Sequence, residues 1–107
     1  MSPDRIFKAL SDPVRIKILQ FLRKPEGVCC ALDGVVCACD IERLLGVSQA
    51  TVSHHMKLLI DAGFVRAQKQ GRWMLYQLDP DTFFDAIIWL SPFARTNSEL
   101  PHDLARA

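Results

Sequence analysis

No stretch of this 107-residue chain approaches the run of about 18 apolar residues that a membrane-spanning helix requires. Nor is Met1 to Arg5 followed by the apolar core of a secretory signal, so a soluble cytoplasmic protein with no membrane partner is expected. The chain has no internal repeat and no low-complexity tract. It also lacks the glycine-rich loop that enzymes use to cradle a phosphate or an oxyanion. Bulk charge is nearly absent: the formal net charge is +1, which argues neither for nor against a nucleic-acid partner. What the chain does have is apolar content, 50% of its residues, enough to exclude disorder over most of its length. The length suits one domain, small enough that a second subunit would help to bury apolar surface.

The most informative stretch runs from Gly46 to Val65. Ser48 is a good N-cap, and Val52, Met56, Leu59 and Ile60 recur at helical spacing to form one apolar stripe, which Gly63 ends. The opposite face carries small or hydrogen-bonding residues, Gln49, Ala50, Thr51, Ser53, His54 and Lys57, where a surface helix would normally show Glu and Lys. Such a face can enter a major groove. Upstream, Asp40 to Leu45 reads as a short helix ended by Gly46, so the two helices have the short glycine turn of a helix-turn-helix whose second helix reads bases. After Gly63, the segments Phe64 to Gln68 and Trp73 to Leu78 alternate around Lys69-Gln70-Gly71-Arg72, the pattern of a β-hairpin. A helix-turn-helix followed directly by a basic-tipped hairpin is a winged helix, with Lys69 and Arg72 placed to meet the phosphate backbone. Charge is distributed accordingly: Lys57, Arg66, Lys69 and Arg72 face a single acid, Asp61, between His54 and Arg72.

Elsewhere, Pro3 to Leu10 is a short helical segment. Asp12 and Pro13 start a second helix, which buries Val14, Ile18, Leu19 and Leu22 and leaves Arg15, Lys17 and Arg23 as a solvated edge. Val28 to Val36 fits a loop or a brief strand equally well. Asp79-Pro80 starts a final helix that is expected to stop at Ser91-Pro92. Its apolar face (Phe83, Phe84, Ile87, Ile88, Trp89 and Leu90) is wider than one contact with a small core requires, which points to a dimer interface. The expected class is mainly α with a small β-hairpin, a winged helix-turn-helix forming a homodimer through its terminal helices. Residues 1–92 form the DNA-binding and dimerisation domain and 93–107 a polar tail. Trp73 and Tyr76 are expected to pack the hairpin. His54 and His55 are polar surface on the reading helix, His54 being the base-contact candidate.

All four cysteines, Cys29, Cys30, Cys37 and Cys39, fall within eleven positions. In a reducing compartment such a cluster favours metal binding or redox chemistry over a disulfide framework.

Four ordered motifs resemble the ArsR/SmtB family of metal-responsive winged-helix repressors. They are Ala9-Leu10-Ser11-Asp12-Pro13-Val14-Arg15-Ile16-Lys17-Ile18-Leu19, the box Val36-Cys37-Ala38-Cys39-Asp40-Ile41, the helix Ser48 to Leu59, and the wing Gln70 to Leu78. The likeness covers roughly Ile6 to Asp79 and is nearest the arsenic-sensing type. It implies a homodimer on double-stranded operator DNA, released when a thiophilic ion binds: As(III) or Sb(III) first, Cd(II) or Pb(II) next. The implied ligands are Cys37 and Cys39 with a third thiolate from Cys29 or Cys30, because Glu42 stands where members with this box often place a third cysteine. Asp85 and His102 do not supply the spacing of the family's zinc-type site. In a regular helix, residues two apart point about 200° away from each other, so closing Cys37 and Cys39 on one ion is expected to distort the entry of the helix-turn-helix. Two other readings use the same cysteines: a repressor switched by disulfide formation, and a thiol reductase. The second lacks an oxyanion cradle and an assigned base.

Overall fold

The structure is a computed structural model that describes residues 2–26 and 35–95. Cys29, Cys30 and the tail after residue 95 lie outside them. Among the described residues, five helices and three short strands follow in the order α1 (Pro3–Leu10), α2 (Pro13–Arg23), β1 (Val36–Cys37), α3 (Ala38–Leu45), α4 (Gln49–Ala62), β2 (Val65–Gln70), β3 (Trp73–Leu78) and α5 (Pro80–Ala94). The strands form one antiparallel sheet in the order β1-β3-β2. This is the winged helix-turn-helix expected from the sequence. Among the described residues no helix is long and apolar enough to cross a membrane.

Local chemistry sets most of the helix ends. Asp12 Oδ1 accepts from the amides of Val14 at 2.8 Å and Arg15 at 3.2 Å, and Pro13 fills the first helical position, where no N–H is needed. Ser48 and Asp79 cap α4 and α5 in the same way. Gly46 and Gly63 take left-handed conformations at φ 66° and 90°, which closes α3 and α4. The stop expected at Ser91-Pro92 falls instead at Ala94. Pro92 deletes one i→i−4 bond and crowds the carbonyl four residues earlier, and the helix runs only two residues beyond it.

The core gathers Ile18, Val36, Ile41, Val52, Met56, Leu59 and Phe64, each fully buried. Burying each such side chain contributes on the order of 1.5–3 kcal/mol. The apolar stripe of α4 differs from the expected one at its end: Ala62 is buried and Ile60 is exposed. The expected solvated edge of α2 is also corrected. Lys17 and Arg23 are exposed, but Arg15 is buried at 8% exposure. Its guanidinium donates from Nε to the Ala9 carbonyl at 2.8 Å and from Nη2 to the Lys8 carbonyl at 3.2 Å, and it stands 3.7 Å from Asp12. Arg15 thus satisfies the end of α1 from inside α2, and it reaches His55 of α4 at 3.5 Å.

One joint fixes how the parts sit together. Where α4 ends, the Phe64 carbonyl accepts from the Asp79 amide at 2.9 Å, the Phe64 and Phe83 rings stand 4.6 Å apart, and Arg66 pairs with Asp79 at 3.4 Å. Gly63 lies so close to Thr82 that a Cβ there would collide with its hydroxyl.

Candidate nucleic-acid interface and thiol pair

Helix α4 turns Val52, Met56, Leu59 and Ala62 inward and His55 partly so, which leaves the opposite side of the helix facing out. All six residues singled out on it, Gln49, Ala50, Thr51, Ser53, His54 and Lys57, are exposed. Lys57 pairs with Asp61 at 3.5 Å, both side chains being more than half exposed, so the pair is weak and readily exchanged for a phosphate. The two histidines divide. His54 is exposed, whereas His55 is half-buried with Nδ1 turned to the Arg15 guanidinium, which makes it part of the scaffold rather than of the reading face.

The wing is a two-residue hairpin whose last ladder pair is Gln70 with Trp73. Of the two turn residues only Gly71 has a positive φ, 60°, as in a type II′ turn, and Arg72 completes the apex. Every residue from Arg66 to Met74 is exposed, so the hairpin projects from the body. Lys69 and Arg72 form no ion pair with any carboxylate among the described residues, while Arg66 is tied back to Asp79 at the base. Of the two residues expected to pack the hairpin, Tyr76 is buried in the core, while Trp73 stays 48% exposed on the wing and lies beneath Arg72, whose Cζ is 5.6 Å from the ring centroid.

The cysteine box occupies a junction. Cys37 is the last residue of β1, paired with Leu75 of β3, and at the same time the N-cap of α3. Because Cys37 keeps extended dihedrals (φ −77°, ψ 147°) while Cys39 sits in the first helical turn, their sulfurs meet at 2.9 Å. The two therefore converge without the distortion expected for two positions within a regular helix. Two sulfurs sharing one soft ion at about 2.3 Å each stand at most about 4.6 Å apart, so the pair fits as two ligands of a thiolate site. Cys37 is buried and Cys39 partly exposed, which leaves access from one side. Among the described residues no group of three His, Cys, Asp or Glu side chains converges as a complete metal site. Burial, and secondarily the Cys37 sulfur, raises the Tyr76 phenol above its ordinary value of 10.0. Sequence reasoning missed the structural role of Arg15 and the exposure of Trp73. For Arg15 the one available signal was its position three residues after a capping aspartate.

A reading helix with a hydrogen-bonding outer face, set beside a cationic hairpin, defines a winged-helix DNA-binding protein. The profile of the bacterial regulatory proteins of the arsR family matches residues 12–67. The sequence is 43% identical over 82 residues to an arsenical resistance operon repressor of Staphylococcus xylosus, covering 77% of this chain and 69% of that protein. It is 37% identical over 81 residues to a cadmium resistance transcriptional regulatory protein, CadC homolog, of Staphylococcus aureus, covering 76% of this chain but only 60% of that protein. The fold matches the crystal structure of a possible transcriptional regulator for arsenical resistance with a TM-score of 0.70 at 24% identity, over 95% of both chains. The chain belongs to the ArsR family: it is a DNA-binding transcriptional repressor and not an enzyme, which removes the thiol-reductase reading.

Proposed function

We propose that two copies of the chain hold operator DNA with α4 in successive major grooves and the wing on the flanking backbone, and that a thiophilic ion captured by Cys37 and Cys39 releases them. The ion is As(III) or Sb(III) in the first instance, then Cd(II) or Pb(II), with Cys29 or Cys30 as third thiolate. The observation that carries this is the 2.9 Å approach of the two sulfurs at the junction of β1 and α3. The arsenical and cadmium resistance regulators among the relatives support the choice of ion. Cys37 can transmit its state in two directions, because it caps the first helix of the helix-turn-helix and is hydrogen-bonded into the strand that carries the wing. A third sulfur drawn toward the pair pulls on both. Coupling of the usual size, about 1–3 kcal/mol, corresponds to a roughly 5- to 150-fold change in DNA affinity.

Pairing of two copies is assigned to α5. Ala86 is its one buried residue, whereas Phe84, Ile87, Ile88 and Phe93 are 61–70% exposed and present an apolar face that water does not favour. The working unit is residues 1–92, with Phe93 and Ala94 finishing α5 and the remainder of 93–107 as tail. Gln49, Ala50, Thr51, Ser53 and His54 are assigned to base edges, and Lys57, Lys69 and Arg72 to phosphates.

The test is fluorescence anisotropy on a duplex enriched by the protein from a randomised library, titrated with arsenite, antimonite, Cd(II), Pb(II) and Zn(II). Wild type should release the duplex with one or more of the first four. Cys37→Ser and Cys39→Ser should bind as tightly as wild type and fail to release. Undiminished release in both variants would refute the site. A second reading, oxidation of the same pair, is favoured by their separation alone; peroxide-driven release in the presence of a chelator would put it first.

A further inference from the structure

We propose that Trp73 is a positioning residue for DNA binding, its indole serving as the platform that holds the Arg72 guanidinium out from the apex of the wing toward the DNA backbone. This rests on the assignment of the wing to phosphate contact and deepens it.

Trp73 is the first residue of β3, in the ladder pair that closes the hairpin, and nearly half of its surface is open to solvent. The aromatic pairs that stabilise the fold are made by Phe7, Phe64, Phe83, Trp89 and Phe93, and Trp73 joins none of them among the described residues. An indole left 48% exposed contributes little to the core, yet it stands at the one place where a cation lies over it, with Arg72 Cζ 5.6 Å from its centroid. Arg72 also lacks what would hold it otherwise, since no carboxylate pairs with it among the described residues. The positive φ of Gly71 fixes the turn, so the backbone of Arg72 is set and only its long side chain remains to be ordered. An arginine side chain loses much of its rotamer freedom when immobilised. A flat ring beneath the guanidinium removes part of that loss before DNA arrives and leaves the N–H edges free to donate. Lys69 points to the other face of the hairpin, beside Met74, and has no such support.

The test is a double-mutant cycle between Arg72→Ala and Trp73→Ala, with Trp73→Phe as the conservative variant. Each is titrated by anisotropy against the library-enriched duplex and an unrelated duplex over a series of salt concentrations. Trp73→Ala should weaken binding to both duplexes by about two- to fivefold. In the Arg72→Ala background the same change should have no further effect, and Trp73→Phe should keep most of the wild-type affinity. Thermal melting of all variants should match wild type, because the wing tip lies outside the core. Equal losses from Trp73→Ala in both backgrounds would overturn the platform while leaving the phosphate role of Arg72 intact. An Arg72→Ala variant that binds both duplexes like wild type at every salt concentration would remove the wing assignment and the platform with it.

Discussion

Replacing Arg15 by Met keeps the reach and bulk of the side chain and deletes only its donors and charge, so the cost can be worked from the bonds around it. The Lys8 carbonyl loses Arg15 Nη2 but keeps the Ser11 amide at 3.1 Å and the Ser11 hydroxyl at 2.7 Å, and so contributes little. The Ala9 carbonyl loses a charge-assisted bond of 2.8 Å inside the protein, and an orphaned buried acceptor costs about 1–3 kcal/mol. The Asp12 pair, at 3.7 Å and one-third exposed on the acid's side, adds at most about 1 kcal/mol. Arg15→Met should therefore destabilise the fold by about 1–4 kcal/mol, lowering the melting temperature by roughly 5–20 °C for a domain of this size. The assay is chemical and thermal unfolding at one fixed protein concentration, since the proposed pairing of subunits would make the midpoint concentration-dependent. Lys17→Ala, on the exposed side of the same helix, is the control and should stay within about 0.5 kcal/mol of wild type. If Arg15→Met unfolds together with that control, the buried network carries no weight and Arg15 is the solvated edge that its position in the sequence suggested.

Three further outcomes follow from the same geometry. Gly63→Ala meets both a left-handed backbone and the Thr82 hydroxyl, so it should cost more than the roughly 1–2 kcal/mol of the backbone conformation alone; adding Thr82→Ala should recover only the excess, as read by urea unfolding. Burial works to raise the Asp12 pKa, but the Arg15 and Val14 amides, and then the Arg15 charge, hold it below its ordinary 3.8. Its stabilisation is thus fully present above that value and lost as the pH falls through the lower folded pKa, and Asp12→Asn should flatten the acid limb of a melting-temperature profile. Placing a charge on the open face of α5, as in Ile88→Glu, should give monomers by sedimentation and weaken binding to a two-half-site duplex at least tenfold, while leaving the monomer folded; an unchanged dimer would locate the subunit contact elsewhere.

What could be read in the sequence was what is decided within a few residues. The caps at Asp12, Ser48 and Asp79 and the stops at Gly46 and Gly63 all came from local hydrogen bonding and local φ, and the exposed face of α4 followed from its period. What escaped needed partners far along the chain. Arg15 is buried because folding brings the end of α1 and His55 of α4 around it, and no pattern within α2 announces that. The strand Val36–Cys37 is too short to have a period, and it is a strand only because β3 lies beside it. That pairing keeps Cys37 extended, starts α3 at Ala38 rather than Asp40, and lets two sulfurs meet that a continuous helix would have separated. Trp73 continues the alternation of its strand faithfully, yet the sheet runs past the edge of the body before it reaches the ring.

The joint at Gly63, Phe64 and Asp79 gives the molecule the character of a caliper. The reading helix, the root of the wing and the start of the last helix are clasped at one point, with no spare residue between them to flex. If two copies join through that last helix as proposed, the gap between their α4 helices would be set by the protein and not negotiated with the DNA. Such a gauge should accept half-sites at one separation and refuse an operator with a single base pair inserted at its centre, even when every contacted base is kept.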